Sequence, residues 1–155
     1  MSNSIGLDAQ KSQQLVESLN TLLSSYQIQY MNARSFHWNI KGREFFELHV
    51  KFEEIYNQLL LKVDELAERI LTIEGTPLHA FSDYLAISEI SEAKGVQNGP
   101  EAVAILLDGF TQLIKTQRRI LAQASDAEDE GTASLMSDYI TEQEKLVWML
   151  KAYLG

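Results

Sequence analysis

Apolar residues recur every three or four positions along most of this chain, and that period constrains the fold more than any other feature. The first such stretch covers residues 8–39 and is interrupted at Gly42. The second begins at Glu44 and stops at Gly75, where glycine is expected to cap a helix and Pro77 prevents its continuation. Each stretch predicts a long amphipathic helix. The repeating positions are Leu15, Leu19, Leu22, Tyr26, Tyr30 and Ala33, then Phe45, Leu48, Phe52, Ile55, Leu59, Leu66 and Ile70.

Two further long helices are predicted after a less regular connection. Residues 78–98 mix short apolar pieces with Ser, Gly and Lys, which favours a crossover containing one short helix at about 82–88. Pro100 and the acid after it are typical of a helix start, because proline tolerates the first position and the acid complements the helix dipole. We expect this helix to end near Ala124 and the last one to span about 132–154. Their apolar positions are Val103, Leu107, Phe110, Ile114 and Leu121, then Leu135, Tyr139, Leu146, Leu150 and Tyr153.

The order of these elements predicts an all-α fold, since no strand pattern competes with them. Short connections follow the first and third long helices, and the long crossover separates the second from the third. This connectivity is that of a ferritin-like four-helix bundle with a short extra helix in the crossover. With 155 residues and only eight Gly and two Pro, the chain is expected to form a single domain over residues 1–155.

The composition excludes several kinds of site and partner. The chain has no cysteine, so disulfides and thiolate sites are excluded, and a transition-metal site must use His and carboxylates. The net charge of −9 opposes nucleic-acid binding, which depends on Lys and Arg displacing counterions from phosphates. No apolar run is long enough to cross a bilayer, and residues 1–14 lack the features of a signal peptide. We therefore expect a cytoplasmic protein.

Histidines and carboxylates occur at spacings that suit a metal site. His37 continues the apolar stripe of the first helix, and the second helix carries His49 with Glu53 and Asp64 with Glu68, each pair four residues apart. Residues four apart share one helix face, and imidazole with carboxylate is a ligand set suited to Fe, Zn or Mn. Carboxylates within an apolar stripe are costly unless they are paired or coordinated.

Helix geometry predicts that one subunit cannot bring all these residues together. At about 1.5 Å per residue, His49 and Asp64 lie roughly 22 Å apart along their helix, although they are only about 60° apart around it. Two copies of this helix, antiparallel about a two-fold axis near residue 58, would bring the His49 end of one against the Asp64 end of the other. We expect pairs of metal sites shared between subunits, with His37 beside His49.

The segment FHWNIKGREFFELHVKFEEIYNQLLLKVDELAERI, residues 36–70, closely resembles the signature of the Dps family of miniferritins, the DNA-protection-during-starvation proteins. The closing VWMLKAYLG, residues 147–155, resembles the end of their last helix. The resemblance implies a hollow homo-dodecamer with two-fold and three-fold contacts. It also implies ferroxidase sites that oxidise Fe(II), preferably with hydrogen peroxide, and storage of ferric iron that protects against oxidative stress.

Matched to this family, four residues would form each iron site: His37 and His49 from one subunit, and Asp64 and Glu68 from its partner. Other divalent metals such as Zn²⁺ could occupy the same site. Trp38 matches the family tryptophan beside the site, for which the resemblance implies electron transfer or scavenging of oxidising intermediates.

Two further features of the resemblance concern carboxylates. Glu53 stands where the family commonly has Asp, so its role at a second iron position is open. The start of the last helix lies at three-fold channels in the family, which implies a pore role for Asp126, Asp129 and Glu130. A run of acidic residues is otherwise usually a solvated turn.

The sequence leaves alternatives open. The chain could be a DNA-binding and compacting protein with iron storage secondary, although its only basic residue before position 31 is Lys11. It could also be a structural or zinc-binding bundle without redox activity. At the level of residues, Asp64 and Glu68 could form surface ion pairs with Lys62 or Arg69. The absence of a Glu-x-x-His motif disfavours a di-iron centre inside one bundle.

Overall fold

The computed structural model describes residues 1–155 and confirms the all-α, ferritin-like prediction. Its helices are α1 (Ala9–Asn39), α2 (Phe45–Thr72), α3 (Phe81–Ile87), α4 (Gly99–Asp126) and α5 (Glu130–Leu154). The four long helices pack as two pairs, α1 with α2 and α4 with α5, and α1 joins the pairs through α4. The short helix α3 lies in the crossover against α1. No helix is both long and apolar enough to span a membrane.

Side-chain caps define three of the helix starts. The carboxylate of Asp8 accepts a hydrogen bond from the backbone N–H of Lys11, and Asn98 accepts one from Glu101. Asp129 caps α5 in the same way, which places the start of that helix two residues before the predicted Thr132. Such caps satisfy backbone donors that have no partner within the first turn.

The end of α2 differs from the expectation that glycine takes the capping conformation. Glu74, not Gly75, adopts the left-handed backbone conformation, with φ of 69°. The N–H groups of Glu74 and Gly75 donate to the carbonyls of Leu71 and Ile70, which closes the helix. Gly75 is needed because a Cβ there would lie 2.3 Å from a methyl carbon of Val16. The glycine therefore allows α1 and the end of α2 to approach each other.

Candidate metal centre

The turn between α1 and α2 brings the rings of His37 and His49 face to face. Their centroids lie 3.8 Å apart and their planes differ by 11°. The Nδ1 atom of each ring lies 2.7 Å from the backbone carbonyl oxygen of the other histidine. Because a carbonyl oxygen can only accept, each Nδ1 carries the proton and donates it. In the neutral rings, both Nε2 atoms then keep the lone pair that a metal ion requires.

Glu53 lies one turn after His49 and directs its carboxylate towards the same place. Its Oε1 atom is 3.8 Å from the Nε2 atom of His37, which is too far for a hydrogen bond. One end of α2 thus gathers three candidate ligands from a single subunit, but they do not close around one point. No three His, Asp or Glu side chains of the subunit are spaced to hold an ion.

Asp64 and Glu68 lie further along α2 and are exposed without a partner in the subunit. The residues that could have paired with them are engaged elsewhere: Lys62 lies 3.0 Å from Glu142, and Arg69 lies 2.6 Å from Asp129. The alternative of ion pairs with Lys62 or Arg69 is therefore wrong for this subunit. These two carboxylates remain available to bind an ion.

The stretch of α2 between the two ends presents apolar side chains to solvent. Leu61 is 68% exposed, and Val50 and Leu60 are also about half exposed. Large apolar side chains that are exposed along one stretch of a helix favour an interface there. Leu60 and Leu61 lie close to residue 58, where the predicted two-fold axis would cross the helix.

Comparison with known proteins assigns this chain to a family. Residues 14–155 match the family described as Ferritin: Ferritin-like domain. The chain is 41% identical to the DNA protection during starvation protein of Porphyromonas gingivalis, over 96% of this chain and 93% of that protein. The chain belongs to the Dps family of ferritin-like proteins. Membership of this family supports a general role in iron storage.

Solved structures of Dps proteins superpose closely on this chain. The Dps protein of Vibrio cholerae O1, described as a member of a broad superfamily of ferritin-like diiron-carboxylate proteins, is 56% identical with a TM-score of 0.98. The alignment covers 99% of this chain and 97% of that one. Dps from Staphylococcus aureus is 34% identical with a TM-score of 0.89, covering 100% and 99% of the two chains.

The centre of this Dps-family bundle is filled by neutral side chains. The Tyr26 hydroxyl donates to Gln117, the Gln117 amide donates to Gln143 at 2.9 Å, and the Gln143 amide donates back to Tyr26 at 2.7 Å. All three residues are buried, and burial raises the pKa of Tyr26 above its ordinary value. Each side-chain nitrogen and oxygen of this ring has a partner within it, so these atoms are satisfied without an ion. The ligands of a metal site must lie elsewhere.

Trp38 lies at the end of α1 but is 57% exposed and makes no ring contact with either histidine. Its ring instead lies under the guanidinium of Arg34, whose central carbon is 5.2 Å from the ring centroid. The aromatic ring that does touch His37 is that of Tyr56, at 5.3 Å and 74°. Sequence reasoning missed Tyr56, although its spacing of seven residues from His49 places both on one face of α2.

The three predicted pore carboxylates have different environments. Asp126 is exposed and lies 3.4 Å from Lys11, and Glu130 is also exposed. Asp129 is only 1% exposed, and its oxygens accept hydrogen bonds from Arg69 and from the backbone and hydroxyl of Thr132. Asp129 therefore does not fit the predicted pore role, because its carboxylate is used inside the subunit.

Proposed function

We propose that this chain is the subunit of a hollow dodecameric miniferritin that oxidises Fe(II), preferably with hydrogen peroxide, and stores the ferric product. Its ferroxidase sites are shared across a two-fold interface, with His37 and His49 from one subunit and Asp64 and Glu68 from its partner. One observation carries this function. The paired imidazoles lie at one end of α2, the unpaired carboxylates lie at the other, and exposed apolar side chains lie between them.

The position of the ligands on α2 supports sharing between subunits. The helix is continuous from Phe45 to Thr72, so His49 and Asp64 remain roughly 22 Å apart along it. An antiparallel pair of α2 helices buries the apolar surface at Leu61 and joins each imidazole end to a carboxylate end. Two equivalent sites then form for each pair of subunits.

The ligand set suits iron that changes oxidation state. Neutral imidazole holds Fe(II), and carboxylates favour the more highly charged Fe(III) product. The rings of His37 and His49 are nearly parallel, with centroids 3.8 Å apart, so their lone pairs do not converge on one ion. Two neighbouring iron positions fit this arrangement, at a spacing of about 3.5–4 Å that is common in two-metal sites. Other divalent ions such as Zn²⁺ can occupy them.

Two iron positions also match the electron count of peroxide. Breaking the O–O bond of one hydrogen peroxide molecule takes up two electrons and two protons and yields two water molecules. Two Fe(II) ions supply those electrons one each and become two Fe(III) ions. Consumption of Fe(II) and peroxide together suppresses hydroxyl-radical formation, which accounts for protection against oxidative stress. The preference for peroxide over dioxygen rests on the family resemblance.

The dodecamer and its channels also rest on the family resemblance. Asp126 and Glu130 are the two exposed carboxylates that we assign to the three-fold channels, where a negative field would concentrate Fe(II).

Mixing two inactive subunits tests whether the sites are shared. His37→Ala and Asp64→Ala proteins should each lose peroxide-dependent Fe(II) oxidation when assayed alone. Half of the pairs in a random equimolar mixture contain both variants, and each of these has one intact site of two, so about a quarter of wild-type activity should return. If the mixture stays inactive while both variants assemble normally, the sites are not shared. If either variant alone keeps full activity, the assignment of that ligand fails.

DNA compaction, the alternative function, receives no support from the termini. The first eight residues fold back on the subunit: Met1 accepts a hydrogen bond from Ala9, and Ser4 donates to Glu74. With a net charge of −9 and Lys11 as the one basic residue among positions 1–30, the chain has little positive charge with which to hold phosphates. Retardation of a plasmid by iron-free protein in a low-salt gel would overturn this judgement.

A further inference from the structure

We propose that Phe45 and Tyr56 are positioning residues for the iron-binding imidazoles, and that they keep the two histidines on separate metal positions. This inference rests on the proposed function, because it concerns the same site. Phe45 stacks on the ring of His49 and Tyr56 contacts the ring of His37, so the role of both residues acts through the histidines.

The four aromatic rings form a column that crosses from one helix to the other. Phe45 stacks on His49 with 4.9 Å between centroids and 23° between planes. His49 stacks on His37 at 3.8 Å and 11°, and the Tyr56 ring meets His37 nearly edge-on at 5.3 Å and 74°. The order along the column is therefore Phe45, His49, His37 and Tyr56.

The helical period of α2 builds this column. Phe45 precedes His49 by four residues and Tyr56 follows it by seven, so all three lie on one face of the helix. His37 comes from α1 and enters between His49 and Tyr56. The column therefore consists of three rings from α2 and one ring, that of His37, from α1.

Two residues of α1 contact the ring of Tyr56 and fix its position. The guanidinium carbon of Arg34 lies 5.0 Å from its ring centroid, and the ring of Tyr30 meets it nearly perpendicularly at 5.9 Å. A cation over an aromatic face and an edge-to-face ring pair are both favourable arrangements. The outer end of the column therefore cannot shift without losing these contacts.

The column determines how the two lone pairs are presented. Each imidazole is fixed at Nδ1 by a backbone carbonyl, and its ring is held between neighbours in the column. Rotation of either ring towards the other's metal position would break both kinds of contact. Without Phe45 or Tyr56, the imidazoles gain freedom to converge on one ion, as tetrahedral Zn²⁺ favours. The column thus disfavours capture of a single zinc ion by both histidines.

Binding of Co(II) to the assembled, iron-free protein tests this role without requiring oxidation. Tyr56→Leu and Phe45→Leu should each weaken Co(II) binding about 10–100-fold, the usual cost of losing a partner that orients a metal ligand. Their visible absorption spectra, which report coordination geometry, should change, and the ratio of Zn(II) to Co(II) affinity should rise. Tyr56→Phe keeps the ring and should retain the wild-type affinity and spectrum.

Phe46→Leu is the matched control, because Phe46 is adjacent in sequence, is 76% exposed and touches neither imidazole. It should bind Co(II) as the wild type does. Size-exclusion chromatography checks assembly of every variant, and Tyr56→Met replaces Tyr56→Leu if the latter does not assemble.

Three results would overturn the positioning role: unchanged affinity and spectrum in both Leu variants, failure of Tyr56→Phe to behave as wild type, or an equal loss in Phe46→Leu. In each of these cases the wild type still binds Co(II), so the proposed function stands. If the wild type binds no Co(II) at this site, the proposed function and the positioning role fail together.

Discussion

The candidate ligands at the two ends of α2 differ in burial and in hydrogen bonding. At the first end, His37 and His49 are stacked, hydrogen-bonded and largely enclosed within one subunit. At the other end, Asp64 and Glu68 are exposed and have no partner. One half of the site is therefore complete in the single chain, whereas the other half acquires a role only through a second copy.

The difference follows from the chemistry of the two ligand types. A neutral imidazole can be buried if its N–H finds an acceptor, and the carbonyls of the opposite helix provide one. An unpaired carboxylate is too costly to bury, so it stays in water until an ion and a partner subunit arrive. Both arrangements therefore avoid the free-energy cost of removing a polar ligand group from water: the imidazoles by hydrogen bonding and the carboxylates by remaining exposed.

The largest expected effect comes from removing the exposed half. Asp64→Asn combined with Glu68→Gln should slow peroxide-dependent Fe(II) oxidation at least about 100-fold, since loss of ligands costs at least as much as loss of their orienting partners. The subunit's free energy of unfolding should change by less than about 0.5 kcal/mol, because both side chains are exposed. Stopped-flow absorbance and thermal denaturation measure the two quantities.

His37→Ala is the counterpart in the buried half. It should slow oxidation about 10–100-fold through loss of one ligand. It should also destabilise the subunit by about 1–3 kcal/mol, because it removes a ring contact and a buried hydrogen bond. Equal destabilisation by the carboxylate and histidine variants would contradict the contrast between the two halves.

A charged residue in the middle of α2 should prevent pairing of the subunits without changing any of the candidate ligands. Leu61→Arg places a cation on the exposed apolar surface and should dissociate the subunit pair, lowering oxidation more than about tenfold as the shared sites are lost. Helix content should not change, and the conservative Leu61→Met should assemble as the wild type does. Light scattering after size-exclusion chromatography gives the mass of each species. A dissociated Leu61→Arg protein that keeps full activity would show that one subunit suffices.

Glu53→Asp should have a smaller effect confined to the imidazole end. Shortening the side chain by one methylene withdraws the carboxylate from the Nε2 atom of His37, now 3.8 Å from it. We expect binding of a second Co(II) per site to weaken by up to about tenfold, with the first site little affected. Calorimetric titration resolves the two steps. Identical titrations for both proteins would show that the length of this carboxylate side chain does not affect the second position.

The smallest effect concerns the end of α2, where residues 1–8 are held against the bundle by hydrogen bonds from Ser4 to Glu74. Hydrogen bonds from the Ser4 hydroxyl and N–H lower the pKa of Glu74 below its ordinary value. Because this pKa is lowered, the stabilisation by these hydrogen bonds is fully present above the ordinary pKa of Glu. It is lost as the pH falls through the lowered pKa of Glu74. The protection of residues 1–8 against hydrogen exchange, measured relative to the intrinsic exchange rate at each pH, should therefore fall in acid.

Glu74→Gln should cause the same loss of protection at neutral pH, because the neutral amide accepts these hydrogen bonds more weakly. Protection that changes with neither the pH nor this substitution would show that Ser4 and Glu74 do not hold the segment.

The elements that could be predicted from the sequence are those that depend on local period. The helices, the crossover and the all-α class follow from apolar spacing, and the start of α4 follows from Pro100 and the acid after it. Details that depend on contacts between elements were missed. Gly75 is needed because Val16 of another helix lies against it, and Asp129 is buried because Arg69 reaches it from α2. Neither contact leaves a signal in the spacing of nearby residues.

The sequence by itself determined that this chain forms long amphipathic helices and that His49 and Asp64 cannot meet within one of them, because helical rise and period depend only on position along the chain. Only the tertiary structure decided that His37 and His49 stack with both Nε2 atoms free, and that Phe45 and Tyr56 enclose them. These features depend on how α1 and α2 pack side by side, and the distances between rings on different helices are set by that packing.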